Sequence, residues 1–173
     1  MSITKLNNLS VSALTALPSG VGGKVLQIVS TVKTDTFATN PSSTYIDVTG
    51  LSVSITPSSA SNKILIQISI SGSGKTAVNI AHFRLVRGST AIYLGDSAGN
   101  RATGFATAID SDANSQEHVS GVFLDSPSTT SSTTYKIQTV SGDVVHVNRS
   151  ADDTDALSRS RTASTITVME IAP

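Results

Sequence analysis

The stretch KILIQISI, residues 63–70, places Ile64, Ile66, Ile68 and Ile70 at every second position. A helix would scatter four β-branched side chains at that spacing around its axis, whereas a strand lines them up on one face. The opposite face carries Lys63, Leu65, Gln67 and Ser69, so the pattern predicts a strand with an apolar inner face.

The same two-residue period recurs on both sides of this segment. Leu51, Val53 and Ile55 alternate with Ser52, Ser54 and Thr56, and strands are expected at 24–29, 44–48 and 51–56. Residues 80–95 contain two apolar-rich runs flanking Gly88-Ser89. A glycine at the first central position suits a type II′ turn and predicts a tight hairpin. Further strands are expected at 117–124, 134–140, 144–148 and 165–171. Eight or more short antiparallel strands suffice for an all-β, two-sheet jelly-roll sandwich.

Two long polar segments, 96–115 and 150–163, interrupt this rhythm. Irregular segments of that length point to partner contact, which singles out Asn100, Arg101, Asp110, Asp112, Asp152 and Asp153. The last strand puts Ile166 and Val168 on one face and Met169 and Ile171 on the other. Apolar residues on both faces predict burial on both sides, inside the sandwich and against another subunit, so these four are candidate interface residues.

Composition narrows the function classes. In 173 residues, 12 basic side chains balance 12 acidic ones, so no net positive field draws nucleic acid or a membrane surface. Cysteine is absent, which removes disulfides, thiolate metal sites and cysteine nucleophiles. No apolar run approaches the length of a membrane-spanning helix. The leader MSITKLNNLSVSALTALPSG is a poor secretory signal, because Asn7, Asn8, Ser10 and Ser12 interrupt its apolar core, and it is read as retained. Residues 1–23 are expected to form an anchor and 24–173 the jelly-roll domain. Ile3, Leu6, Leu9, Leu14 and Leu17 are the anchor's apolar contacts, too few to bury one another without a neighbour.

No catalytic constellation emerges. Gly74-Lys75-Thr76 spells the end of a phosphate-binding loop, but Ser69 stands where its first glycine belongs. The sequence after Thr76 also continues as a strand rather than opening a helix. Residues 110–115 begin like a calcium loop yet carry Ser115 where glycine is needed and Gly121 where glutamate is needed. Asp152, Asp153 and Asp155 are expected to pair with Arg149, Arg159 and Arg161. His82, His118 and His146 fall in separate expected strands, with His82 beside Arg84 and opposite Phe83 and Leu85. No GxSxG elbow supports a serine hydrolase. The expectation is a protein that is not an enzyme, with no cofactor and no metal.

Three strand segments, SITPSSASNKILI (54–66), FRLVRGST (83–90) and STITVMEI (164–171), resemble sequences of bacteriophage virion appendages, particularly marine and cyanobacterial phage fibre proteins. The leader followed by GKVLQIV (23–29) is similar to the start of the same proteins. Such domains resemble the tumour-necrosis-factor-like and complement-type jelly rolls, which form parallel homotrimers. The resemblance implies a structural protein at the surface of a virion: a homotrimeric tail fibre, head fibre or capsid decoration. It would attach to other virion proteins through its N-terminus, with exposed loops turned towards host or surface glycans. The alternative from another class is a free carbohydrate-binding, lectin-like module. Lectin jelly rolls commonly stack sugars on aromatic rings, and this chain contains no tryptophan.

Overall fold

The computed structural model describes residues 23–74, 80–109 and 112–173. Its strands are β1 (Val25–Lys33), β2 (Phe37–Thr39), β3 (Ile46–Ile55), β4 (Lys63–Gly74), β5 (Ile80–Arg87), β6 (Thr90–Ile92), β7 (Ala106–Ile109), β8 (Glu117–Asp125), β9 (Thr133–Val140), β10 (Val145–Val147) and β11 (Ser164–Ile171). They form two antiparallel sheets packed face to face. One runs β1-β11-β4-β10-β2 with β8 on the far side of β4; the other runs β3-β9-β5-β6 with β7 also on β5.

Setting aside the short β2, β6 and β10 leaves eight principal strands, and their pairing has a simple order. The first pairs with the last, the third with the sixth, the second with the seventh and the fourth with the fifth. That is a long hairpin folded over on itself, the jelly-roll arrangement.

β4 holds the first sheet together, because β8 pairs along one of its edges while β11 and then β10 pair along the other. Its four isoleucines are buried, as are Leu51, Val53 and Ile55 of β3 and Phe83 and Leu85 of β5, and these side chains meet across the sandwich. Apolar burial of this kind is the main force holding the two sheets.

The expected strands are present, with three differences. The two strands expected at 44–48 and 51–56 are one strand, β3, with a register shift between Asp47 and Ser52. Gly50 lies within the shift at φ +87°, a conformation that costs glycine little, so the chain bulges and continues. The segment expected to be irregular from 96 to 115 contains β7, whose short Ala-Thr-Ala-Ile run becomes a strand by pairing with β5. β2 is a three-residue strand held by β10. The hairpin at Gly88-Ser89 is as expected, with Gly88 at φ +58°.

The sandwich has two distinct ends. Ala172 donates its backbone N–H to the Lys24 carbonyl, so the entry to β1 and the exit from β11 lie together beside Lys63. This end is termed the base. The other end of β4, at Gly72 and Gly74, meets the start of β8 and the whole of β10, and marks the apex.

Candidate functional site

The outer faces of the two sheets differ in chemistry. On the face of β3, β9 and β5, Asp47, Ser54, Thr134, Lys136, Gln138 and Arg84 point outward and bond one another. Lys136 Nζ lies 2.7 Å from Asp47, Gln138 donates to Asp47, and Arg84 donates twice to Gln138. The Arg84 guanidinium also stacks 3.6 Å above the Tyr45 ring. A polar, internally satisfied outer face is normal for an antiparallel sheet in water.

The outer face of β1, β11, β4 and β8 is different. The register aligns Ile28, Met169, Leu65 and Leu124 in one row across four strands. Val122 and Val32 extend the apolar surface, and Ile28, Val32 and Val122 are each more than half exposed, at 60%, 58% and 57%. Between the rows lie uncharged polar side chains, with Ser30 and Thr167 hydrogen-bonded to each other at 2.7 Å. Lys63 at the base and His118 towards the apex bracket a face whose intervening outward positions carry no formal charge. An apolar patch spanning four strands is a mark of an interaction surface.

Met169 and Ile171 belong to this outward face, half-buried by their neighbours. Ile166 and Val168 do not: both are fully enclosed in the sandwich core, so neither can meet a second subunit, and their expected interface role is corrected here. The signal for the rest of the face was the apolar content of both faces of β1 and β8, legible only once the register placed them beside β11. The anchor residues Ile3, Leu6, Leu9, Leu14 and Leu17, together with Asp110, lie outside the described residues.

At the apex the two long polar segments pack together. Asp152 donates its backbone N–H to the Ala113 carbonyl, Gln116 donates to the Ser160 carbonyl, and Thr162 donates to Gln116. Asp112 turns back to accept the Asn114 N–H. Two of the three expected acids pair here, Asp152 with Arg159 and Asp153 with both Arg149 and Arg161, while Asp155 forms no ion pair among the described residues. Hydrogen bonds from Thr154 and then Arg159 hold the Asp152 carboxyl down at about 2. These acids therefore brace a loop.

Asn100 and Arg101 occupy a different place. With Ser43, Tyr45, His82 and Ser141 they line a cleft of about 360 Å³ where the start of β3, the start of β5 and the end of β9 converge. Tyr45 donates its hydroxyl to the Thr103 carbonyl, which holds the 100–103 segment over the sheet. Ser42 and Ser43 both adopt positive φ, and Ser43 donates its N–H to Ser141, so the rim is a constrained turn. His82 is half-buried, which pushes its pKa below the ordinary histidine value. Among the described residues its ring makes no hydrogen bond. Among the described residues Arg101 donates only to the nearby Ala98 backbone carbonyl, at 3.2 Å, and no carboxylate lines the cleft. Tyr45, Ser43 and Ser141 were not singled out from sequence, because three segments far apart in the chain supply one wall.

The other chemical expectations have definite positions. Ser69 to Gly74 are ladder residues of β4, so the first half of the phosphate-loop-like stretch is strand, while Lys75 and Thr76 lie outside the described residues. His118 faces outward near Ser69, and His146 is buried in β10. Among the described residues no three His, Asp or Glu side chains gather as a metal-holding group. No family model matches the chain, and no curated protein matches it in sequence.

Proposed function

We propose that this chain is a non-enzymatic structural subunit of a bacteriophage particle, a homotrimeric jelly-roll fibre, knob or decoration that attaches through its N-terminal segment. The observation that carries the reading is the uncharged apolar row Ile28, Met169, Leu65 and Leu124 on the outer sheet face, where Ile28 and Leu124 are exposed among the described residues. Water is a poor solvent for such a face, and a second copy offers the same apolar chemistry without a charge to desolvate. The polar opposite face remains suited to solvent. The two ends of the sandwich also fit: β1 begins at the base, where a preceding anchor would join, and the long loops stand at the apex. The resemblance of the strand segments to phage appendage sequences supplies the particle.

Sedimentation equilibrium on the purified chain tests assembly, with a mass three times that of the chain expected and a monomer at micromolar concentration counting against it. Cryo-electron microscopy of intact particles, with mass spectrometry to establish the chain's presence, tests location. Density for the sandwich at a tail, head or capsid position is expected, and absence of the chain from purified particles would refute the virion assignment.

A further inference from the structure

We propose that the apical cleft between Tyr45, His82 and Arg101 binds an acidic monosaccharide, a uronic or sialic acid unit, through its carboxylate. The inference gives a site and a ligand class to the surface-contact role proposed above and rests on that part of the reading, but it does not require the trimer.

The cleft has the size and lining of a small-ligand site. Its volume of about 360 Å³ falls at the lower end of the range for such pockets, suited to one or two sugar rings. Its polar groups converge from four separate segments: Ser43 before β3, His82 on β5, Asn100 and Arg101 on the connection between β6 and β7, and Ser141 after β9. Two of these groups have unused capacity. The His82 ring has no hydrogen-bond partner among the described residues, and Arg101 spends one donor on the Ala98 carbonyl, leaving the rest of its guanidinium available.

Charge chooses the ligand. Among the described residues the lining contains an arginine and no aspartate or glutamate, so a cation meets no carboxylate there and an anion meets a planar donor fork. Arg84 adds positive potential behind the Tyr45 ring. With His82 held towards its neutral form by burial, the described lining offers one permanent positive charge, Arg101. A monoanionic carboxylate balances that better than a doubly charged phosphate. The remaining groups, Ser43, Asn100, Ser141 and the free imidazole, are matched donors and acceptors for sugar hydroxyls, and the carboxylate gives the ring its orientation.

Isothermal titration of the full-length protein with glucuronate, N-acetylneuraminate and glucose tests the proposal. The two acids should bind with Kd of about 1 mM, and glucose at least about tenfold more weakly. Arg101→Gln should weaken the acids by about tenfold or more without changing the unfolding temperature, because its side chain is exposed. His82→Ala should weaken binding as well, and saturation-transfer contacts should place the sugar at the Tyr45 ring. Equal binding of glucose, full binding by Arg101→Gln, or silence with both acids would each overturn the proposal. Repeating the titration on Ile28→Glu/Leu124→Glu, altered on the outer apolar face, separates the two readings. Retained binding by a monomer supports the cleft whatever the assembly, and binding lost only in that variant would show that the site needs a neighbouring copy, against the single-chain site proposed here.

Discussion

Glu170 is the side chain on which the last strand turns. It shares the inward face of β11 with Ile166 and Val168 and is 1% exposed, yet it carries a carboxylate. Its oxygens accept hydrogen bonds from Gln27, from the backbone and hydroxyl of Ser58, and from Asn62, all within 2.5–2.7 Å. Burial by itself raises the pKa, and the bonds from Asn62, Gln27 and Ser58 overcome it, bringing the group down to about 2 from an ordinary 4.5. Because the folded value is the lower one, the associated stability is complete above the ordinary value and is lost as pH falls from there through about 2. Glu170→Gln should lower unfolding free energy at neutral pH by ~2 kcal/mol, since an amide presents two donors where the site supplies donors. It should also flatten the acid dependence between these two values, as measured by denaturant titrations at pH 7 and pH 3. Unchanged acid sensitivity would show that Glu170 does not carry it. The two-residue period puts Glu170 on the same face as Ile166 and Val168; that this face is the core, and the identity of its partners 108 to 143 residues away in sequence, it could not supply.

At the scale of elements, β8 is seated by an aromatic stack. Tyr93 lies parallel to Phe105 at 5.6 Å and to Phe123 at 5.0 Å between ring centres, and Gly121 of β8 lies against it. A methyl group at Gly121 would stand 2.9 Å from Phe105 and 3.1 Å from Tyr93. Gly121→Ala should therefore cost about 1–3 kcal/mol through overpacking, read as a drop in thermal unfolding temperature. At Gly88 the space is open and the constraint is the backbone alone. Gly88→Ala should cost ~1 kcal/mol and Gly88→Asn less, because asparagine tolerates positive φ better. Equal effects of the two substitutions would mean that the turn changes its conformation. The hairpin was legible because its turn residue and both apolar runs are adjacent in the chain. β7 was not, because a four-residue Ala-Thr-Ala-Ile run is too short to show a period until β5 supplies the other half of the ladder.

For the whole molecule, the two outer faces differ, one carrying exposed apolar side chains and the other a bonded polar set, and the assembly proposed above predicts different responses to charge on each. Ile28 and Leu124 stand on the apolar face and are exposed within a single chain, so charging them should leave the sandwich folded. Ile28→Glu/Leu124→Glu should convert the proposed trimer to monomers with an unchanged far-ultraviolet circular dichroism spectrum. An intact trimer in that variant would place the interface elsewhere. Glutamates introduced at Ser54 and Thr134 on the polar face, where the native hydroxyls bond each other at 2.7 Å, should leave the oligomeric state alone.

The sequence by itself determined that this chain is a two-sheet β-sandwich, because strand periodicity and turn chemistry are local properties that each segment carries with it. It also marked the last strand as apolar on both sides. Only the tertiary structure decided which side was which: Ile166 and Val168 went to the core, while Met169 and Ile171 joined Ile28, Leu65 and Leu124 on a surface assembled by register. The cleft belongs to the same class of facts. Asn100 and Arg101 were visible as loop residues, but Tyr45, His82 and Ser141 became their neighbours only when β3, β5 and β9 aligned their ends. A pattern of period two fixes the direction of a side chain relative to its own strand. What lies in that direction is set by strand pairing and the packing of one sheet on another, which depend on contacts distant in sequence.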